Sequence, residues 1–450
     1  MAALSPAPEC YIQSILDTDL YKLSMQYAVL ETYPDVEAKY RFTNRGGTRF
    51  TRNMYDAVCR AIKHLDTLLL TSDERAFLSR RCPYFPASYL DYLSSFRFRP
   101  DSQVNLVFVP SGDKDSDGTE WGSFDLEVQG KWVETILYEV PLMSIISEAY
   151  FTHVDIQWDY VGQFELARQK GLALYTSGCL LSEFGSRRRR TYKAHDIVMR
   201  GLVAANAEVS DGGKGKGKLV GTSNVHFAHK YDVVPIGTIA HEMVMGIAAL
   251  EGYEGSNGRT MDVWEKVYPD GSLGIALTDT FTTKPFFDDF VSNPERARRW
   301  RGLRQDSGDP LKFIPVAKEA FERVGADPSQ KVVVFSDSLD VDRCVELKKA
   351  ADAAGIGCSF GVGTFLTNDF RRVQEPVQQE KPGEGPVRTE GEKSKALNMV
   401  IKLYSINGQH CVKISDELTK NTGDPEAVAL VKRRFGLEEH GGESTWGPTV

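Results

Sequence analysis

Cysteine is scarce in this chain: seven among 450 residues, at positions 10, 59, 82, 179, 344, 358 and 411, an odd number with no C-x-x-C pair. That pattern argues against a disulfide framework and a cysteine-built zinc site, and fits a reducing compartment. No apolar run approaches the ~20 residues a membrane-spanning helix needs. The opening MAALSPAPEC has no basic stretch followed by an apolar core, so neither a membrane anchor nor a secretory leader is expected. Basic charge is also short, with 54 Lys and Arg against 62 Asp and Glu, a formal net charge of -8. A broad nucleic-acid or anionic-membrane footprint would need the opposite balance. A soluble protein of the cytoplasm, or of cytoplasm and nucleus, acting on a small molecule is the expectation. One tempting motif fails as well: GTIAHEMVMG (237–246) sets His241 beside Glu242 but has Met245 where the second histidine of a zinc-protease helix would stand.

What is present is a rhythm. From about Thr176, short apolar runs alternate with polar or glycine-containing turns and then with helical patterns. The turns are SEFGSRRRR (182–190), VGTSN (220–224), IGTIAHE (236–242), LTDTF (277–281), LRQDSGD (303–309), FSDSLD (335–340) and FGVGTFLTND (360–369). KVVVFSDSLDVDRCVELKKAADAAG shows the unit well: a β-branched strand, an acidic turn that caps, then apolar residues at helical spacing. Seven such units predict an irregular α/β barrel of about seven parallel strands, with chemistry at the C-terminal ends of the strands. Outside the block, VNLVFVP and GSFDLEVQG flank the polar SGDKDSDGTEW, predicting a hairpin with a long loop, and VIKLYSINGQHCVKIS (400–415) predicts a hairpin turned at Asn407 and Gly408. The expected organisation is an N-terminal α+β domain (1–150), the barrel (151–373), a mobile loop (374–395) and a C-terminal segment (396–450) that returns to the first domain, so that a second, β-rich domain is formed by both chain ends. DGGKGKGK (211–218) reads as a solvated rim loop.

Several strand ends carry groups suited to anions and cations. FGVGT offers Gly361, Gly363 and Thr364 for wrapping backbone N–H groups around a phosphate. LRQDSGDP places Arg304, Asp306 and Asp309 around Ser307, supplying a cation for a planar anion and carboxylates for ribose hydroxyls or Mg²⁺. Asp279 and Asp337 repeat the carboxylate theme. SRRRR sets Arg187 to Arg190 just after a strand, a run suggestive of polyphosphate binding in an otherwise acidic chain. A mouth with several anion sites, several Mg²⁺-competent carboxylates (Asp279, Asp306, Asp337) and one histidine suits a substrate carrying a phosphate and a diphosphate.

Ten stretches in order, DTDLYKLSM, YRFTNR, GKWVETILYEVPL, SEFGSRRR, GTSN, GTIAHE, GLRQDSGDP, FSDSLD, FGVGTFLTND and KISDELTKNTGDPE (413–426), resemble the nicotinate phosphoribosyltransferase family over nearly the whole chain. The departures, Ser186 for threonine, Gln305 for histidine and Met243 for tryptophan, remove no group the chemistry needs. The resemblance implies transfer of the 5-phosphoribosyl group of phosphoribosyl diphosphate to nicotinate in NAD biosynthesis, with Mg²⁺ and with ATP as co-substrate. It implies Tyr21, Thr238 and Arg304 as the nicotinate site, with Arg304 pairing the carboxylate. It assigns Gly361, Gly363 and Thr364 to the 5-phosphate, and Arg187, Ser307 and Asp337 to phosphoribosyl diphosphate. His241 would be phosphorylated by ATP, with Asp306 and Glu242 beside it as catalytic groups, in a monomer or homodimer. The alternatives are nicotinamide phosphoribosyltransferase, whose family carries an aspartate where this chain has Ser223, and a non-catalytic paralogue.

Overall fold

The computed structural model describes residues 11–211, 217–373, 390–417 and 421–437. Near the N-terminus, strands β1 (Glu37–Asn44), β2 (Phe50–Thr51), β3 (Val104–Lys114) and β4 (Glu120–Lys131) pair antiparallel. The loop expected between the last two is shorter than the sequence suggests. SGDK and EW belong to the strands, and the turn is confined to 115–119, closed by the bond from Asp115 N to Thr119 O at 2.9 Å. The end of β3 is exposed, so no apolar alternation was needed there and none announced it.

The repeating block forms one parallel sheet: β5 (Leu180–Glu183), β6 (Lys218–Thr222), β7 (Ile275–Leu277), β8 (Gly302–Gln305), β9 (Val332–Phe335) and β10 (Gly357–Val362), in the order β6-β5-β10-β9-β8-β7. Six of the seven expected turns follow a regular strand. The seventh, IGTIAHE, follows an extended segment on the free edge of β6, tied by a bridge from Thr222 to Pro235 and by the bond from Ile236 N to Thr222 O at 2.8 Å. Two residues explain why no ladder forms there. Pro235 has no N–H to donate. Gly237 lies under the start of helix α1 (Leu20–Thr32), where a Cβ would stand 2.7 Å from the Tyr21 nitrogen.

Beyond the barrel, β11 (Phe370–Val373) pairs antiparallel with β12 (Glu390–Ser394). The expectation of a mobile loop over 374–395 is therefore corrected at its C-terminal end, where residues 390–394 are strand; 374–389 lie outside the described residues, as do 212–216 of the glycine-lysine stretch. Ser394 anchors the turn back, its hydroxyl donating to Asp155 (2.7 Å) and accepting from Arg190 (2.9 Å). Next, β13 (Met399–Ile406) and β14 (Gln409–His410) form a hairpin whose turn residues Asn407 and Gly408 both have positive φ (43° and 76°), as a type I′ turn requires. β13 pairs antiparallel along β1 from Ala38 to Asn44, so the C-terminal return completes the N-terminal sheet. The final strands, β15 (Lys413–Ile414) and β16 (Asn421–Thr422), precede a helix over Pro425–Arg434. No helix among the described residues is long and apolar enough to cross a membrane.

Candidate active site

Three chain segments converge at the C-terminal ends of the barrel strands. The N-terminal segment reaches it by pairing Asp19 with Asn224, with Leu20 N bonded to Ser223 O at 2.8 Å, just past β6. Helix α1 then starts with Tyr21 at the mouth. The C-terminal return arrives as an added strand: Ile414 bridges Phe281, with Ile414 N to Thr280 O at 2.8 Å and Thr282 N to Ile414 O at 2.7 Å. The third segment is the strand ends themselves.

A cavity of about 670 Å³ opens within the barrel, lined at its mouth by Asp19, Tyr21, Phe184, Arg187, Ser223, Thr238 and Arg304. Further in it is lined by Leu180, Val220, Ile275 and Val334. Its size is that of a small-molecule site, whereas many barrels of this general kind fill their interior with side chains. A smaller cavity of about 50 Å³ adjoins it, lined by His241, Asp306, Glu139 and Lys402 and sharing Tyr21, Arg187 and Arg304 with the first. The sequence-predicted Tyr21, Thr238, Arg304, Arg187, His241 and Asp306 are thus brought together.

Arg304 is held by two bonds, Nε to Ser336 Oγ (2.8 Å) and Nη2 to Asp306 Oδ1 (2.9 Å), which leaves Nη1 without a partner among the described residues. Gly361 has a packing duty in shaping this mouth: a Cβ there would lie 2.3 Å from the Phe184 ring, so glycine is what lets that ring stand against β10. Thr364 starts a short helix, Thr364–Thr367, at the end of the same strand.

His241 is the first residue of helix α2 (His241–Glu251) and is 7% exposed. Its Nδ1 is 3.0 Å from Thr280 Oγ1, and its Nε2 is 3.2 Å from Asp306 Oδ2 and 3.0 Å from Lys413 Nζ. Burial, and then the Lys413 ammonium, push the imidazole down to about 4, so the ring is neutral at physiological pH. Burial would raise the Asp306 carboxyl, but the Arg304 guanidinium, then His241 and Lys413, outweigh it and hold that carboxyl well below the usual range. His241, Asp279 and Asp306 present ligand atoms within 4.8 Å of one another, and Asp279 Oδ1 is buried with no hydrogen-bond partner among the described residues. Two carboxylates with an unsatisfied oxygen fit Mg²⁺, an oxygen-seeking cation; the imidazole suits softer metals better. Of the three carboxylates proposed for a cation, Asp337 is not in this group; its Oδ1 accepts from Ser338 at 3.1 Å.

Several sequence-based roles are revised. Glu242 does not orient the imidazole or reach the cation group. Its carboxylate is taken by Lys22 and Tyr40 and by Trp132 Nε1 (2.8 Å), so it anchors the helix start at the wall of the smaller cavity. Adjacent helical residues project about 100° apart, so His241 and Glu242 serve different surroundings. Ser307 is committed too, its hydroxyl donating to Asp279 Oδ2 (2.5 Å) and accepting from Asp416 N (3.2 Å). The four-arginine run divides. Arg187 lines both cavities, whereas Arg189 makes a wholly buried bidentate pair with Asp17 (2.7 and 2.8 Å) and Arg190 stacks on Phe151, its guanidinium 3.7 Å from the ring centre. Sequence reasoning missed Phe184, Lys402, Lys413 and Asp416. Burial lowers Lys402 to about 8, while burial and then the neighbouring Asp279 raise Asp416 to about 7. The signals were a lysine in the middle of the apolar β13 and the KISD stretch, to which no role had been given.

The profile of the nicotinate phosphoribosyltransferase (NAPRTase) family matches residues 179–439, and that of its N-terminal domain matches residues 16–147. The nicotinate phosphoribosyltransferase of Methanosarcina mazei is 40% identical over 449 residues, covering 95% of this chain and 100% of the relative. That of Saccharomyces cerevisiae is 40% identical over 436 residues, covering 96% of each. A crystal structure of nicotinate phosphoribosyltransferase from Porphyromonas gingivalis superposes with a TM-score of 0.80 at 35% identity, covering 94% of this chain and 100% of that one.

Proposed function

Because the chain belongs to the nicotinate phosphoribosyltransferase family, we propose that it joins nicotinate to the 5-phosphoribosyl group of phosphoribosyl diphosphate and couples that step to ATP hydrolysis through phosphorylation of His241. The observation that carries the reading is the neutral, buried imidazole of His241, which lies beside Asp279 and with Asp306 lines the smaller cavity adjoining the larger one. Nicotinate lies in the larger cavity, its flat ring against Tyr21 and Phe184 and its carboxylate on the open Nη1 of Arg304. The carboxylate pairs with a planar guanidinium, the geometry arginine reads best. The nicotinate ring nitrogen attacks C1′ of the ribose, the bond from C1′ to the diphosphate oxygen breaks, and its electron pair leaves with diphosphate.

The ribose becomes cationic on the way, so the site must supply fixed charge of both signs. Asp19 and Asp306 serve the ribose side. Arg187 and Lys402 serve the departing diphosphate, with Gly363 and Thr364 at the end of β10 holding the 5-phosphate. Asp279 and Asp306 are the residues that would hold Mg²⁺, which when bound neutralises phosphate oxygens. A neutral imidazole is a competent nucleophile toward the terminal phosphorus of ATP. Ser223 leaves the cavity without a further carboxylate at that position, its hydroxyl donating to Asp19 (2.7 Å), and this favours the acid over the amide substrate.

The decisive experiment is His241→Ala. The variant is expected to make nicotinate mononucleotide slowly at high phosphoribosyl diphosphate, with no stimulation by ATP. Wild-type protein given γ-labelled ATP acquires label lost in acid and kept in base, and the variant acquires none. Base-stable label on the alanine variant would mean another residue carries the phosphoryl group.

A further inference from the structure

The C-terminal return and the strand-end segment Thr280–Thr282 are paired through the backbone bonds of Ile414, and between them they bracket the His241 ring. Thr280 Oγ1 meets Nδ1 at 3.0 Å, and Lys413 Nζ meets Nε2 at 3.0 Å. An ammonium has three donors and no acceptor, so at Nε2 it can only donate. Nε2 also faces Asp306 Oδ2 at 3.2 Å, an acceptor that alone would call for a proton there, but the closer, cationic lysine prevails and leaves Nε2 unprotonated. In that tautomer the ring proton sits on Nδ1, donated to Thr280, and the lone pair sits on Nε2 under the lysine. The same Nζ is 3.4 Å from Asp279 Oδ2, and the lysine side chain is 13% exposed. A free lone pair is what a phosphorylation reaction needs, and in the resting protein this one is covered.

We propose that Lys413 is a removable cap on the His241 nucleophile, which leaves Nε2 for the terminal phosphoryl group of an incoming nucleoside triphosphate and so makes phosphorylation conditional on that ligand. The inference rests on the phosphohistidine reading above. Its chemistry is self-contained. The terminal phosphoryl oxygens outcompete a neutral nitrogen for the ammonium, because they add the attraction between opposite full charges to the hydrogen bond. Lysine's flexible four-carbon stem allows the shift without moving β15. The uncovered Nε2 lone pair then forms the nitrogen–phosphorus bond. The bond from the terminal phosphorus to its bridging oxygen breaks, its electron pair leaves with the nucleoside diphosphate, and the Nδ1 proton remains shared with Thr280. Lys413 stays on the transferred group and offsets its charge. The paired strand explains why the cap comes from so far along the chain: its backbone is fixed by the same segment that carries Thr280, so the Thr280 and Lys413 contacts to the two ring nitrogens are set by one pair of strands.

Two rates on the full-length protein test this, and they must move in opposite directions. In Lys413→Met, labelling of His241 by γ-labelled ATP should slow by roughly 10²- to 10³-fold, the range for losing one preorganised donor to developing charge. Modification of His241 by the small electrophile diethyl pyrocarbonate, followed by mass spectrometry of the peptide, should be roughly tenfold faster, since a lone pair is freed from a charge-assisted hydrogen bond. Lys413→Arg should recover much of the phosphorylation. Wild-type labelling rates in Lys413→Met, or a fall of both rates together as a merely structural lysine would give, overturns the proposal. Failure of the underlying reading looks different: wild-type protein takes up no label at His241, and His241→Ala keeps its stimulation by ATP.

Discussion

His241 and Glu242 are neighbours in sequence and belong to two buried charge clusters with opposite characters. Around Glu242 both carboxylate oxygens are engaged: Lys22 bridges it to Glu139 (2.6 Å on the Glu139 side), and Tyr40 and Trp132 take its remaining oxygen, with the lysine side chain fully buried. Around His241 atoms are left over. Asp279 Oδ1 and Arg304 Nη1 have no hydrogen-bond partner among the described residues, and Lys413 makes a contact to His241 Nε2. The same residue types therefore do different work according to satisfaction. A closed network fixes geometry, and an open one keeps free energy of interaction available to a ligand.

The sharpest way to break this comparison is Lys22→Met. It leaves Glu139 and Glu242 facing each other without the lysine between them and should destabilise the protein by about 3–5 kcal/mol, read from the urea midpoint. A loss below about 1 kcal/mol would show that the network is not what fixes the helix start. Next in size is Arg304→Gln on the open side, which should raise the KM for nicotinate roughly ten- to a hundredfold, corresponding to about 1.5–3 kcal/mol for a charge-assisted pair, with much less change for phosphoribosyl diphosphate. Equal losses for both substrates would show that Arg304 does not read the carboxylate.

Acid titration sharpens the contrast further. Burial works against ionisation of Glu139, yet Lys22, Lys402 and Arg187 together lower it to about 2, and the same opposition, won by Arg189, lowers Asp17 to about 2. Folded-state values below the ordinary ones mean stability that is fully present above about pH 4.5 and is lost as pH falls toward 2. Urea midpoints at pH 6, 4 and 3 should fall steadily in wild type. The fall should be shallower in Lys22→Met, where Glu139 has lost its largest attractive partner. The smallest effect belongs to a pair in neither class: Lys318→Ala removes the exposed contact to Glu322 (3.8 Å) and should cost about 0.5 kcal/mol or less.

These contrasts mark what was legible in the sequence. Each barrel motif is short, follows an apolar run and carries its polar groups in one turn, so Arg304, Asp306 and His241 could be placed at strand ends by local pattern alone. The satisfied network could not be seen, because Lys22, Glu139 and Glu242 come together from positions more than a hundred residues apart and none has a local signature. Arg189 and Arg190 were misjudged for the same reason. A run of four arginines reads as one anion site, and only Asp17, Phe151 and Ser394, each distant in sequence, show that two of its members are tied into the interior. Lys413 lay within a recognised stretch, but its contact with His241 depends on a strand pairing between segments that sequence periodicity does not connect.

That β13 completes a sheet begun by β1 also has a consequence for the growing chain. Asn44 pairs with Met399, so 355 residues must be made after β1 before its partner exists. At roughly 5–20 residues per second the interval is on the order of twenty seconds to a minute or more. Throughout it one edge of β1 stands open, and by its end the nascent protein has Asp279, Asp306 and His241 but neither Lys402 nor Lys413. A chain that stops soon after β10 carries the barrel strands but neither of these cations, so the site is complete only once β13 and β15 have been made.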